Sequence, residues 1–211
     1  DVYKRQLKTP LTAIKGFNDV IGMKSKDDDI RTLSAKIDKE VNRVVSLIDD
    51  MLNLSKLETT KTPIVEKVDL VAVAYDAEES ISALARDKNV NIEISGEGTV
   101  EMEKDHAYEL VKNLMENAAR YNEDGGHVFV SVDEKSDKVT LKVKDGIGID
   151  EENQSRIFER FYRVNKSRSR ETGGTGLGLS IVKHVAELYD AKLTLSSTLG
   201  AGTEITVSFK K

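Results

Sequence analysis

Apolar residues recur at steps of three and four through Leu7, Leu11, Ile14, Phe17 and Ile21, the spacing that lines one face of a helix. The polar run at 24–29 interrupts this stripe. A second stripe, Leu33, Ile37, Val41, Val44, Ile48 and Met51, continues to about Leu57, so the first part of the chain is predicted to be a helical hairpin. Two helices cannot enclose their own apolar faces. A second copy would complete a four-helix bundle, which predicts a homodimer; the alternative is a hairpin packed on the rest of its own chain.

Beyond the hairpin the period changes. Asp69 can cap a helix from Leu70 to about Arg86, after which Val90, Ile92 and Ile94 alternate with polar residues as in a half-buried strand. Asp105 opens a predicted helix to Tyr121. An Asp-Gly-Gly turn at 124–126 then leads into two alternating runs, Val128, Val130, Val132 and Val139, Leu141, Val143, which predict a strand hairpin. A last helix, Leu177 to Tyr189, precedes strands at Lys192 to Ser196 and Glu204 to Phe209. The polar stretch Glu58 to Lys67, broken by Pro63, sets the boundary between segments 1–60 and 61–211. The predicted fold class is therefore α+β: an N-terminal helical hairpin, then an α/β sandwich with a mixed sheet covered by helices on one face.

Charge narrows the function. One third of the 211 residues are charged and the net charge is −5, which makes nucleic acid, whose binding needs a basic face, a poor expectation. No stretch approaches the roughly 20 apolar residues that cross a bilayer, so no membrane contact is expected within this segment. The absence of cysteine removes disulfides and thiolate metal sites and fits a cytosolic setting.

The candidate chemistry lies in glycine-bearing turns: Asp145-Gly146-Ile-Gly148-Ile149, Gly174-Thr175-Gly176-Leu177-Gly178-Leu179 and Gly200-Ala-Gly-Thr203. A Gly-rich loop entering a helix can aim free N–H groups at a phosphate, and the segment before the last helix meets that description. It lacks the Gly-Lys-Ser/Thr ending of a P-loop and the βαβ setting of a dinucleotide site. On the helix before the first glycine turn, Asn113 and Asn117 stand one turn apart on one face. Asn carboxamides can bind Mg²⁺ through oxygen, and Arg120 can meet phosphate; two surface asparagines on an ordinary helix is the plainer alternative.

In order and spacing these segments resemble the catalytic domain of histidine kinases, within the ATPase family that also holds DNA gyrase, the Hsp90 chaperone and MutL. Asn113 to Tyr121 is similar to that family's asparagine box, Phe158-Glu-Arg-Phe161-Tyr162-Arg163 to its phenylalanine box, and the three glycine turns to its glycine boxes. Leu7-Lys-Thr-Pro-Leu11 is similar to the tail of its histidine box, and Leu52-Asn-Leu-Ser-Lys-Leu-Glu58 to the end of its second dimerisation helix. The resemblance implies an ATP-dependent protein-histidine kinase with ATP and Mg²⁺ as cofactors. Asn117 would ligate the metal beside Asn113, Arg120 would touch phosphate, Tyr121 would lie against adenine, and Asp145, supported by Thr203, would accept the adenine amino group. Gly146 and Gly148 would shape the first turn, and Gly174, Thr175, Gly176, Leu177, Gly178 and Leu179 would face the triphosphate. A lid from Arg163 to Gly173, with Lys166, Arg168 and Arg170, would close over it. The implied partners are a second copy and a response-regulator receiver domain. The implied place is the cytoplasmic segment of a parent anchored in the cell membrane.

Two departures stand out. The places of the phospho-accepting His and its acidic neighbour hold Arg5 and Gln6; a guanidinium cannot take a phosphoryl group as an imidazole can, and Gln6 offers no base. Autophosphorylation there is expected to fail, and Asp1 to Gln6 read as a truncated or joined start. Thr9, which in the family supports dephosphorylation of the regulator, is retained. Asp145 also abuts Gly146, where the family has an intervening residue, so the loop after Asp145 is expected to be short. Two rival functions follow: an ATP-binding or dimerising module without phosphotransfer, and a gyrase-like ATPase. The latter is disfavoured because only Glu116, one position off the Asn113–Asn117 face, could serve as base.

Overall fold

The structure, a computed structural model, describes residues 2–59, 63–164 and 174–211, with side chains of the first helix from Leu11 onward. Helix α1 (Val2–Lys24) and helix α2 (Asp28–Thr59) form the predicted hairpin, turning at Ser25–Asp27. Asp27 accepts the Asp29 N–H at 2.9 Å, starting α2 with a polar cap. The hairpin is pinned midway by a buried polar exchange. Asn18 Nδ2 donates to the Ser34 carbonyl at 2.6 Å and Ser34 Oγ donates to the Asn18 carbonyl at 2.9 Å. A Cβ at Gly22 would stand 2.7 Å from Ser34 Oγ, so a small residue is needed for that approach.

Strand β1 (Glu66–Asp69) pairs antiparallel with β3 (Thr99–Met102) in a small sheet that the sequence pattern does not reveal. Strand β3 alternates between exposed and buried positions, but with four residues in each strand the pattern is too short to stand out. Part of the stretch predicted as a linker is thus helix, to Thr59, or strand, from Glu66. Asp69 caps α3 (Leu70–Asp87) as expected, its carboxylate accepting from the Val71 N–H at 2.8 Å and the Ala72 N–H at 3.2 Å. Strand β2 (Asn91–Glu97) follows, and α4 (Lys104–Arg120) starts one residue before Asp105.

Strands β4 (His127–Glu134) and β5 (Lys138–Asp145) make the predicted hairpin, and a short α5 (Glu151–Gln154) follows. Helix α6 (Gly178–Leu188) and strands β6 (Lys192–Thr198) and β7 (Gly202–Lys210) end the chain. The main sheet has the order β2-β4-β5-β7-β6; β2 runs parallel to β4 and the other pairs are antiparallel. Helices α3, α4 and α6 cover one face, where Leu110, Leu114, Leu141, Ile181 and Val207 are fully buried. Phe129, Lys142 and Lys144 are exposed on the other.

The hairpin divides its apolar residues between two destinations. Leu54 and Leu57, near the end of α2, are buried in the same core as the sheet and its helices, with Leu47 packed against it. Each buried leucine contributes roughly 1.5–3 kcal/mol. Ile14, Ile21, Leu33, Ile37 and Val44 stay exposed, Phe17 to 71%. Leu11, Leu33, Ile37, Val41 and Val44 line an open groove of about 360 Å³ between the two helices. Among the described residues no helix is long and apolar enough to cross a membrane.

Candidate functional site

Helix α4 presents Asn113, Glu116, Asn117 and Arg120 half-buried on one side, while Leu110, Leu114 and Ala118 face the core. That split follows from its helical period. Asn113 Nδ2 donates to the Glu109 carbonyl at 2.7 Å and to Glu109 Oε2 at 3.2 Å, leaving its amide oxygen toward the first turn of α6. A Cβ at Gly178 would stand 2.7 Å from that oxygen, so only glycine lets the two segments meet without a shift. A turn further along, Arg120 pairs with Glu116. A Cβ at Gly174 would stand 2.9 Å from the Tyr121 hydroxyl and 3.4 Å from Arg120 Cδ.

The loop between these glycines is held from a second side. Gly176 has φ +79° and its carbonyl accepts the Phe161 N–H at 2.8 Å; Phe161, at φ 62°, takes a left-handed conformation unusual for an aromatic residue. The Leu177 N–H donates to Thr175 Oγ1 at 3.3 Å. The predicted phenylalanine and second glycine segments are therefore one joined structure.

Asp145 ends β5 opposite Thr203 of β7. Burial pushes its carboxyl above the ordinary carboxylate range, opposed by hydrogen bonds from the Ile147, Thr203 and Gly148 backbone and the Thr203 hydroxyl. Ser197 Oγ lies 3.0 Å from Thr203 Oγ1 and accepts the Ile149 N–H at 2.8 Å, tying the first glycine turn to the third. The Gly200 N–H donates to the Ile147 carbonyl at 2.6 Å. Gly148 (φ +84°) passes so close to the Thr198 carbonyl that a side chain has no room. The short loop after Asp145 is thus closed against the β6–β7 turn.

Asn122, which sequence reasoning missed, joins the two halves. It is buried; Nδ2 donates to the His127 carbonyl at 2.8 Å, and Oδ1 would lie 3.8 Å from a Cβ at Gly146. Lys88 Nζ donates to the Arg120 carbonyl at 2.5 Å and to the Asn122 carbonyl at 3.0 Å, capping the end of α4 beneath Tyr121. Nothing in the sequence marks either residue. Asn113, Arg120, Tyr121, Asn122, Gly146, Asp145, Thr203 and the turn 174–178 form one continuous cluster, with Asn117 half-buried one turn from Asn113. Lys166, Arg168 and Arg170 lie outside the described residues, as do the side chains of Arg5, Gln6 and Thr9, whose backbone belongs to α1.

The hairpin also reaches this cluster. Thr175 Oγ1 donates to Asp50 Oδ2 at 2.5 Å, Asn53 Nδ2 to Glu109 Oε1 at 3.3 Å, and Arg160 pairs with Glu58. Burial raises the Asp50 carboxyl; the Thr175 hydrogen bond opposes this, Glu116 and Glu109 add to it, and Lys112 opposes it. Desolvation likewise lowers the Arg163 guanidinium, with Tyr121 opposing and Arg43 and Arg120 reinforcing. An open cavity of about 340 Å³ lined by Glu78, Arg86, Asn89 and Asn91 lies apart from this cluster, between α3 and β2.

Comparison with known proteins places these features in context. Residues 102–211 match the family model "Histidine kinase-, DNA gyrase B-, and HSP90-like ATPase", and residues 3–60 match the "His Kinase A (phospho-acceptor) domain". The chain is 35% identical to the phosphate regulon sensor protein PhoR of Pseudomonas aeruginosa over 210 residues, covering 97% of this chain and 47% of that protein. It is 33% identical over 208 residues to the sensor-like histidine kinase SenX3 of Mycolicibacterium smegmatis, covering 96% and 54%. It is 33% identical over 219 residues to the histidine protein kinase SaeS of Staphylococcus aureus, covering 97% and 61%. The chain therefore spans about half to three fifths of these relatives. Among solved structures, full-length ShkA in complex with AMPPNP superposes with a TM-score of 0.75 at 21% identity, over 99% of this chain and 44% of that one. The mycobacterial sensor histidine kinase MprB superposes with a TM-score of 0.59 at 26% identity, over 70% and 97%.

Proposed function

The chain belongs to the sensor histidine kinases of two-component systems, and from that premise we propose that it is a kinase core whose residues 61–211 bind ATP–Mg²⁺ and whose residues 1–60 dimerise. The observation that carries the reading is the meeting of Asn113 with Gly178 and of Tyr121 with Gly174, a cradle in which added side chains would collide. Such a cradle suits a triphosphate lying between α4 and the turn 174–178, with backbone N–H groups at the start of α6 as donors.

In this reading Asn117 and Asn113 supply carboxamide oxygens for the metal, which would neutralise phosphate charge. Arg120 exchanges its partner Glu116 for phosphate oxygens. Tyr121 flanks the adenine ring, and Asp145 accepts its amino group with Thr203 holding the carboxyl in place. Transfer depends on positioning and on charge stabilisation more than on covalent chemistry by the protein. In the family the acceptor is a histidine whose place Arg5 holds here, and from such a histidine the phosphoryl group would pass on to an aspartate of a receiver domain. Thr9 supports dephosphorylation of that partner by water. The parent is anchored in the cell membrane, and this segment faces the cytoplasm.

With Arg5 and Gln6 in place the chain binds nucleotide but does not label itself. The test is incubation with γ-labelled ATP of the chain as it stands and of Arg5→His with Gln6→Glu, preceded by added helical residues. Acid-labile phosphate is expected only on the second protein; labelling of the first would refute the missing-acceptor reading.

A further inference from the structure

The hydrogen bond from Thr175 to Asp50 is unusual in what it joins: a hydroxyl of the glycine-rich turn and a carboxylate of the helical hairpin. Two further pairs lie along the same helix. Asn53 bonds Glu109, and Glu58 pairs with Arg160. Over its second half α2 therefore runs as a strap across α4, the turn 174–176 and the phenylalanine segment. Asp50 is the carboxylate hydrogen-bonded to the turn, and it stands among like charges, Glu109 and Glu116.

We propose that Asp50 is a residue of the nucleotide site contributed by the hairpin, which in the docked arrangement sets the chain against a triphosphate and must leave Thr175 before ATP is held. This rests on the reading of the 174–179 turn as the phosphate loop. Two physical effects act together. The carboxylate occupies a donor that a phosphate oxygen would use, and its charge repels a triphosphate more than a diphosphate, because the added phosphate brings more negative charge into a half-buried setting. Docking of α2 and binding of ATP are then competing events, whereas ADP is compatible with the strap. By linkage, ATP loosens the hairpin to the extent that the hairpin weakens ATP.

The position of Asp50 gives this competition a direction. Asn18 and Gly22 both face Ser34, and counting back along the antiparallel pair sets the backbone of Arg5 level with the turn of α2 from Leu47 to Met51. Asp50 lies in that turn. The strap thus holds the phosphate loop at the height of the acceptor position while its own carboxylate contests the triphosphate.

The test uses the full chain with ADP and the non-hydrolysable ATP analogue AMPPNP, titrated by calorimetry. Asp50→Asn keeps an acceptor for Thr175 and removes the charge. It is expected to tighten AMPPNP binding about fivefold or more and ADP binding less than twofold. An unchanged AMPPNP-to-ADP ratio overturns the proposal. Since the natural chain has no cysteine, Glu58→Cys with Arg160→Cys reports docking through disulfide formation under mild oxidation, with Asp50 intact. AMPPNP is expected to slow that cross-link several-fold relative to ADP; an equal rate at saturating nucleotide overturns the proposal independently of how Asp50→Asn folds. If neither the parent nor Asp50→Asn binds any nucleotide while both keep their native circular dichroism, the phosphate-loop reading itself falls, a different outcome from an unaltered ratio.

Discussion

The amide oxygen of Asn113 occupies the space that a side chain at Gly178 would need, at 2.7 Å from the position of the missing Cβ. It is a close approach between α4 and the first turn of α6, and it involves a side chain proposed to bind nucleotide. Gly178→Ala separates binding from folding. Alanine favours the helix it would begin by up to about 1 kcal/mol, while Asn113 must swing away. Nucleotide affinity measured by calorimetry is expected to fall about tenfold or more, with a melting temperature within a few degrees of the parent. Unchanged affinity would mean that Asn113 lies outside the site.

Lys88 holds the end of α4 by two carbonyls, those of Arg120 and Asn122. Lys88→Met keeps most of the side-chain volume and removes the donor. Hydrogen bonds from a charged group contribute about 1.5–3 kcal/mol, so a melting temperature several degrees lower is expected. Nucleotide binding weakens as well, since Tyr121 is the next residue after that helix end. A loss of stability with full affinity would assign Lys88 to folding alone.

Stability should depend on pH through two carboxyls. Asp50 and Asp145 both have folded-state values raised above the ordinary one, chiefly by burial. A raised carboxyl stabilises the fold fully below the unfolded value, about 3.9, and that contribution is lost as pH rises through the folded value. Glu109, Glu116 and Lys112 act on Asp50, and backbone N–H groups with Thr203 act on Asp145. Glu134, lowered by Lys211 and Thr99, acts in the opposite sense but is exposed and screened by salt. Thermal melts are therefore expected to show these two sites favouring mildly acidic pH over pH 8. Asp50→Asn with Asp145→Asn should flatten that slope, and an unaltered slope would contradict the assignment.

The exposed stripe of Ile14, Phe17, Ile37 and Val44 predicts a dimer seam on the hairpin. Ile37→Glu with Val44→Glu is expected to give monomers in light scattering. The melting of the part after Glu66 should change little, because the residues of α2 buried in the core, Leu54 and Leu57, lie further along the helix near its end. A parent chain that is already monomeric at micromolar concentration would remove the dimer from the proposed function.

Much of this architecture is written in local pattern. The two stripes of the hairpin, the Asp69 cap and the alternating valines of β4 and β5 each read correctly because period and capping are properties of neighbouring residues. The small sheet of β1 and β3 is not legible, since strands of four residues are too short for their alternation to be distinguished. The parallel pairing of β2 with β4 depends on a crossover that spacing alone does not specify. Among the residues that meet around the turn 174–178, the resemblance to the family's boxes pointed to Asn113, Arg120, Tyr121, Asp145 and Thr203, whereas Asp50, Lys88 and Asn122 carried no mark. Asp50 reads as one more acid on a solvated helix face, and only the tertiary meeting with Thr175 distinguishes it. The hairpin posed a choice between self-packing and pairing; it packs its lower end on its own chain and leaves the upper stripe uncovered.

The paired exchange between Asn18 and Ser34 limits how the hairpin can carry a mechanical input. Sliding α1 along α2 by one residue would strand two buried side chains and the carbonyls they serve, each at a cost of about 1–3 kcal/mol. Piston travel of one helix against the other is thereby blocked at this level. What remains open is rotation or tilt of the two as a locked unit, and Asp50, further down the same helix, would be carried sideways across the turn at Thr175 by any such swing.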